Sequence, residues 1–176
     1  MLHVKAQSFP ELEKNEVKLN ALYLAEGTFE VSYERQIGRV LGLGLSSYIT
    51  FREYGMQLFG DSYPWNFSIT PFLRVYFGKS GFKGFFLEGN VMLGSNTQIS
   101  NDLVNGTNTG WDLGVGFGYG AKWVFDKNWG FEVYAGMGLI TTNLYDTPPE
   151  PEGLFDFGFD WPEVYPRCGI SVVKRF

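Results

Sequence analysis

Ten charged residues recur on one side of a strand-like alternation and are the first candidates for chemistry: Lys18, Glu30, Glu34, Arg74, Glu88, Asp112, Lys122, Glu132, Arg167 and Arg175. Glu30 and Asp112 fall in the same half of the alternating segments as Arg167, so they could serve as an acid/base pair of carboxylates. Activating a hydroxyl for acyl transfer or hydrolysis, however, calls for a base, most often histidine. The one histidine, His3, lies ahead of the first alternating segment, and the one cysteine, Cys168, falls on the apolar side of the last. A lone cysteine also excludes an intrachain disulfide and a multi-cysteine metal centre. The simpler expectation is a structural ion-pair network, with no catalytic residue, no metal and no cofactor.

The elements that carry these charges are strands. In WDLGVGFGYGAKWVF, Trp111, Leu113, Val115, Phe117, Tyr119, Ala121, Trp123 and Phe125 form one face, while Asp112, four glycines and Lys122 occupy the other. Successive strand side chains point to opposite faces, so one face is apolar throughout and the other carries charge or no side chain. Seven further segments repeat the pattern. The first spans about Glu16 to Leu24, with Val17, Leu19, Ala21 and Tyr23 on one face, and a tight turn at Ala25 to Gly27 follows. The second, Thr28 to Gln36, alternates Phe29, Val31 and Tyr33 with Glu30, Ser32 and Glu34. The others begin near Leu41, Phe67, Phe85, Phe131 and Val164. Pro71 interrupts the fourth, and proline cannot donate a ladder bond, so a bulge or edge is expected there.

At 176 residues, with 18% aromatics, 23 glycines and a mean hydropathy of −0.10, the chain fits one domain with no segment near the roughly 18 apolar residues of a membrane helix. Low hydropathy does not exclude a membrane barrel, whose strands show lipid only every second residue. A net charge of −5 and a pI near 4.9 leave no basic stripe for phosphates, so nucleic acid is excluded as a partner.

Loop lengths carry independent information. The connections after the second, fourth and sixth segments are short, whereas Arg52 to Asn66, Ser95 to Gly110 and Thr141 to Glu163 are long. Short turns on one side and long loops on the other are a property of outer-membrane barrels, with both termini periplasmic. The expected fold is therefore all-β: an eight-stranded antiparallel up-and-down transmembrane barrel with a plugged lumen. Eight strands enclose too little space for the many aromatics of the apolar face. Bulk is thus expected outside, against outer-membrane lipid, and glycine with ion pairs inside. Tyr23, Phe51, Phe67, Phe77, Phe85, Trp111, Trp123, Phe125 and Phe131, near strand ends, are expected to form interfacial girdles. Arg35 and Lys174 are expected to snorkel outward.

The last segment, YPRCGISVVKRF, has Cys168, Ile170 and Val172 alternating before a terminal Phe176. It resembles the terminal strand of outer-membrane barrels, and the resemblance implies that Phe176 is read by the barrel assembly machinery. NEVKLNALYLAEGTFEVSYERQIG resembles a small eight-stranded barrel family of Bacteroidota, an uncharacterised domain family similar in architecture to OmpA- and OmpX-type barrels. Ala6 and Gln7 in MLHVKAQ look like a signal-peptidase site, which gives residues 1–7 as a signal-peptide remnant, 8–14 as a periplasmic segment and 15–176 as the barrel. The resemblance implies location and assembly, and no reaction.

Three functions follow for weighing. Some barrels of this size are lipid A acyltransferases or deacylases, which resemblance ties to a histidine near the outer leaflet. A pore conflicts with Tyr48, Phe72, Tyr76, Phe86 and Tyr134 pointing inward. A structural or interaction barrel is favoured, presenting loops or serving within a larger outer-membrane complex. Its candidate partner-binding loop carries Phe155, Phe157, Phe159 and Trp161 among Asp146, Glu150, Glu152, Asp156, Asp160 and Glu163, stiffened by four prolines. The carboxylates have no calcium-loop spacing.

Overall fold

The computed structural model describes residues 14–51, 65–78, 82–98, 108–125, 128–144 and 163–176. Eight strands follow one another in chain order: β1 Asn15–Asn20, β2 Thr28–Gln36, β3 Leu41–Thr50, β4 Trp65–Tyr76, β5 Gly84–Gln98, β6 Asn108–Val124, β7 Trp129–Leu144 and β8 Val164–Arg175. Each pairs antiparallel with the next, and β1 pairs with β8, so the sheet closes into a barrel. Closure leaves no free edge at that end: Asn15 and Phe176 exchange both backbone bonds, at 3.2 and 2.9 Å.

Strand alternation sorts the side chains sharply. Phe117 and Tyr119 on β6 are each 64% exposed, whereas Asp112 and Lys122 on the same strand are buried. The outer surface carries Leu43, Leu45, Leu73, Leu87, Val91, Val115, Met137 and Ile170, and the inner one carries charge, aromatic rings and glycine. This inverts a soluble protein, whose charged residues are rarely buried and whose large apolar ones are mostly hidden. Glycine makes the inner packing possible: a Cβ at Gly114 would lie 2.6 Å from the Tyr165 ring, and one at Gly120 2.5 Å from Phe86.

Three local features differ from the sequence expectation. The first strand stops at Asn20, and Ala21–Ala25 forms a short helix, α1. Asparagine is a good helix cap because its side-chain oxygen satisfies free amide groups of the first turn; Asn20 Oδ1 accepts from Leu22 N at 3.1 Å and Tyr23 N at 3.4 Å. The alanines and leucines that follow suit a helix, and the turn rotates Tyr23 into the barrel, where it is buried and not part of an outer girdle. β4 begins at Trp65, β5 runs on to Gln98, and β6 starts at Asn108, so the strands reach further than the alternation does. Pairs such as Thr97 with Thr109 and Gln98 with Asn108 are polar on both faces, which erases the period-two signal while leaving the ladder intact.

Pro71 faces outward and creates no bulge. Pairing with β3 is continuous through Leu45 and Pro71. The β4–β5 ladder skips Thr70 and Pro71 and resumes in the same register, because the missing N–H removes a bond without moving the strand.

Candidate functional site

All ten charged residues singled out from the alternation lie inside the barrel, together with an eleventh, Glu16. The parity that places Lys18 inside places Glu16 there too, two positions earlier on β1. The charges divide into two groups along the axis. One lies at the end of the short turns, the other toward the end where residues 52–64, 99–107 and 145–162 connect the strands.

The first group gathers Glu16, Lys18, Glu34, Arg74, Lys122, Glu132 and Arg175 from β1, β2, β4, β6, β7 and β8. Register alone sets Arg74 beside Glu88, Lys122 beside Glu132 and Glu16 beside Arg175. It also sets Glu16 directly opposite Glu34, two like charges. Bridging cations resolve that conflict. Lys18 pairs with Glu34, with Glu16 at 3.3 Å and with Glu132 at 3.1 Å. Lys122 reaches Glu16 as well as Glu34 and Glu132, each of the latter at 3.3 Å. Arg74 spans the barrel to Glu132 at 2.8 Å and Glu34 at 3.2 Å. Tyr76 donates its hydroxyl to Glu34 at 2.7 Å and accepts from Lys122 at 2.6 Å.

Carboxylate oxygens of Glu16, Glu34 and Glu132 lie within 4.8 Å of one another, the spacing of a metal site. Two lysines supply their counter-charges: the ammonium groups of Lys18 and Lys122 each touch all three. Desolvating ions costs several kcal/mol each unless they are paired and hydrogen-bonded; every carboxylate here faces more than one cation, while Glu132 Oε1 has no hydrogen-bond partner among the described residues.

Aromatic rings seal this group at both sides. Phe72 lies toward the middle of the barrel with Arg74 Cζ 4.6 Å, Lys18 Nζ 5.4 Å and Arg167 Cζ 5.5 Å from its ring centre, within cation–π reach. At the short-turn end Phe82 folds back into the barrel from the connection between β4 and β5. It packs edge-on against Tyr76 at 5.5 Å, and its carbonyl accepts from Arg175. Its φ of 61° is rare for a bulky side chain, a strain on the order of 1–3 kcal/mol that the surrounding contacts must outweigh.

The second group is sparser. Arg167 pairs with Glu88, lies 3.5 Å from Glu30, and donates to Ser46 Oγ at 3.2 Å. Glu88 links the two groups, since its other oxygen takes Arg74 at 2.7 Å. Glu30 accepts from Asn20 at 2.6 Å and Tyr134 at 3.2 Å. Asp112 is held by the indole N–H of Trp65 at 2.6 Å, while its Oδ1 has no partner among the described residues. Sequence alternation assigns Trp65 to a loop and so misses it; the tryptophan is buried at the start of β4, edge-on to Tyr165 at 6.2 Å.

Glu30 and Asp112 therefore meet different neighbours. Glu30 sits in a salt bridge and a hydrogen-bonded cluster; Asp112 sits against an indole. Beside Glu30 is a small cavity of about 20 Å³, lined by Tyr23, Glu30, Tyr48, Trp65, Met92 and Arg167, among others. That volume holds about one water molecule.

On the outer face, Lys174 packs its ammonium 5.0 Å from the Trp129 ring, and Trp123 and Phe131 stack at 5.7 Å. Phe176 is exposed at the end of β8. Phe155, Phe157, Phe159 and Trp161, the candidate partner-binding residues, lie outside the described residues, as does His3.

No curated protein and no solved structure matches the chain. A family model described as a protein of unknown function, DUF3575, matches residues 1–150, a span that contains β1 to β7, and the chain belongs to that family.

Proposed function

We propose that this protein is a transmembrane barrel of a bacterial outer membrane, with a plugged lumen, that acts as a structural or interaction protein and not as an enzyme. The observation that carries the reading is the inverted packing: an apolar outer surface around an interior that holds eleven charged side chains among the described residues. Only an apolar surround makes that arrangement favourable, because in water the outer face would expose a patch far above the few hundred Å² common on soluble monomers. Pairing of β1 with β8 also joins the two edges of the sheet to each other, as a hydrocarbon environment demands. β6, with 17 residues, is long enough to cross about 30 Å of hydrocarbon even at a tilt. In this orientation the short turns are periplasmic and the long connections face outward.

The interior supports the non-enzymatic half of the reading. Its carboxylates are engaged by lysine, arginine, tyrosine and tryptophan, and aromatic rings fill the space between them. The same filling argues against a pore. What remains for function is the set of long connections and the outer surface, suited to a protein partner within a larger membrane complex.

Two measurements test this. Refolding into phospholipid vesicles should give a heat-modifiable band on gels and protease protection of the strands; a monodisperse, detergent-independent soluble monomer would overturn the membrane reading. Deletion of residues 150–161 should abolish co-purification of native partners after gentle detergent extraction while leaving heat-modifiability intact. An unchanged partner set would overturn the interaction reading.

A further inference from the structure

The charges that stay outside the barrel are sorted as strictly as those within it. Among the described residues Lys14, Arg35, Arg39 and Lys83 are exposed and Lys174 is half-buried, and all of them stand at the short-turn end. Lys14 precedes β1, Arg35 lies near the end of β2, Arg39 is in the turn to β3, Lys83 immediately precedes β5, and Lys174 lies near the end of β8. The described acids outside the interior, Glu26 and Glu163, both stand at the opposite end. In sequence the connections divide in the same way. The short ones carry Arg39, Lys79, Lys83 and Lys127 against Asp126, whereas the long ones carry Arg52 against acids that include Asp61, Asp102, Asp146 and Asp160.

Pairing separates this collar from the interior. Each lysine and arginine inside the barrel has a carboxylate within salt-bridge distance. Arg35, Arg39 and Lys83 have none among the described residues. Arg35 is set by register between Asn15 on β1 and Leu43 on β3, neither of them charged. Its parity on β2 is that of Val31 and Tyr33, and Lys174 has the parity of Val172 on β8, so both leave the wall in the direction taken by the outer apolar side chains.

Aromatic rings mark the level of the collar. Phe77, Phe85, Trp123, Phe125 and Trp129 are exposed at the same end, and such rings favour the boundary between hydrocarbon and headgroups. Lys83 stands at the rim of an open groove of about 510 Å³ whose walls include Phe85, Ala121, Trp123 and Phe125. Ala121 is paired with Phe85, and its small side chain leaves the floor of the groove low between larger rings. That volume lies within the roughly 300–1,000 Å³ of small-ligand sites. A cation above an apolar channel matches the two parts of a phospholipid, a phosphate and a chain.

We infer that the short-turn rim is a binding collar for anionic glycerophospholipids, with Arg35, Arg39 and Lys83 taking headgroup phosphates of the surrounding leaflet and the groove beside Lys83 seating one lipid chain. The collar rests on the transmembrane reading proposed above. The preference for an anionic headgroup follows from charge. A zwitterionic headgroup brings an ammonium for which the rim offers no acid side chain among the described residues, whereas an anionic one brings its phosphate without that burden. The choice of a lipid over an acidic protein follows from direction. Arg35 and Lys174 project sideways beside lipid-facing residues, and the collar spans β8, β1, β2 and two turns, so a leaflet that surrounds the barrel meets all of it at once. Attraction of this kind falls off within a screening length, which makes it sensitive to salt.

The test refolds the full chain into vesicles of phosphatidylcholine and phosphatidylglycerol in equal amounts, with bromine on the acyl chains of one lipid or of the other, and reads tryptophan quenching. A rim form keeps Trp123 and Trp129, with Trp65, Trp111 and Trp161 changed to phenylalanine. A far form keeps Trp111 alone, at the other end of β6. In the rim form, bromine on phosphatidylglycerol should quench at least about twofold more than bromine on phosphatidylcholine, and raising salt to about 1 M, where the screening length is about 3 Å, should bring the two together. Arg35→Gln, Arg39→Gln and Lys83→Gln combined should do the same at low salt, and the far form should show no preference. Heat-modifiability of each variant reports folding, and should the triple variant not fold, the salt series on the rim form carries the same expectation. If neither lipid quenches either form, the transmembrane reading fails and the collar with it. Equal quenching of the rim form by both lipids, a preference that survives the triple substitution, or the same preference in the far form would overturn the collar and leave the transmembrane reading standing.

Discussion

The two ends of the barrel interior solve the same packing problem by different means. At the short-turn end seven charged side chains from six strands interlock, with each carboxylate of Glu16, Glu34 and Glu132 answered by more than one cation. Toward the long connections, Arg167 is the one cation among the described residues beside Glu30, Glu88 and Asp112, and Tyr23, Tyr48, Trp65 and Tyr165 take up the volume. The first end is cross-linked in every direction and has its wall closed by β1 and β8. The second has a small cavity and a helix in place of a strand. Rigidity at one end accompanies adaptability at the other, and the contrast predicts where substitution should matter.

The largest effect is expected at the ionic end. Glu34→Gln leaves Lys18, Lys122 and Arg74 short of a shared counter-charge and should cost about 3–5 kcal/mol, the range for breaking a buried pair from one side. Urea unfolding in vesicles, followed by tryptophan emission, measures it; a loss no greater than that of Glu30→Gln would erase the contrast. Phe82→Ala should follow, at about 2–4 kcal/mol. The cost is that of a buried ring: alanine keeps the Cβ that strains a positive φ, and the Arg175 contact to the backbone survives.

At the aromatic end, Trp65→Phe removes the donor to Asp112 and should cost about 1–3 kcal/mol. In that background Asp112→Asn should cost little more, and a further large drop would mean that Asp112 is held by something besides the indole. Asn20→Ala should cost about 0.5–2 kcal/mol through the lost cap and should speed hydrogen exchange at Leu22 and Tyr23 before it affects the β1–β8 ladder. The smallest effect is expected at Pro71→Val, within about 0.5 kcal/mol, because the residue faces outward and the β4–β5 ladder already omits it.

Period-two alternation carried most of the architecture, since it reports which face each residue takes. It placed Tyr48, Phe72, Tyr76, Phe86 and Tyr134 inside without any knowledge of their partners, and the structure buries all five. It could not report height around a closed ring. That Lys18 meets Glu132, or Lys122 meets Glu16, depends on strand stagger, which a single strand does not encode. Alternation also fails where another local rule outranks it. At Asn20 the capping side chain and the alanines and leucines after it favour a helix over a continued strand. Trp65 sits beyond the first clear alternation of its strand, next to residues with no periodic signal. Phe82 turns inward from a connection, with a backbone angle that sequence patterns for phenylalanine argue against. Glu16 carries the same inward parity as Lys18, two positions on, at the first position of the alternation.

The ionic end has a further consequence for how the chain reaches its final state. Glu16 and Lys18 enter first in sequence and Arg175 last, and the bond from Arg175 to Glu16 spans 159 positions. No partly paired sheet can complete that cluster, so until the final strand arrives several charges lack counterparts. The cluster thus works as a checkpoint on closure: a barrel missing its last strand, or closed one residue out of register, would carry unpaired ions and would be held back from becoming a stable end product.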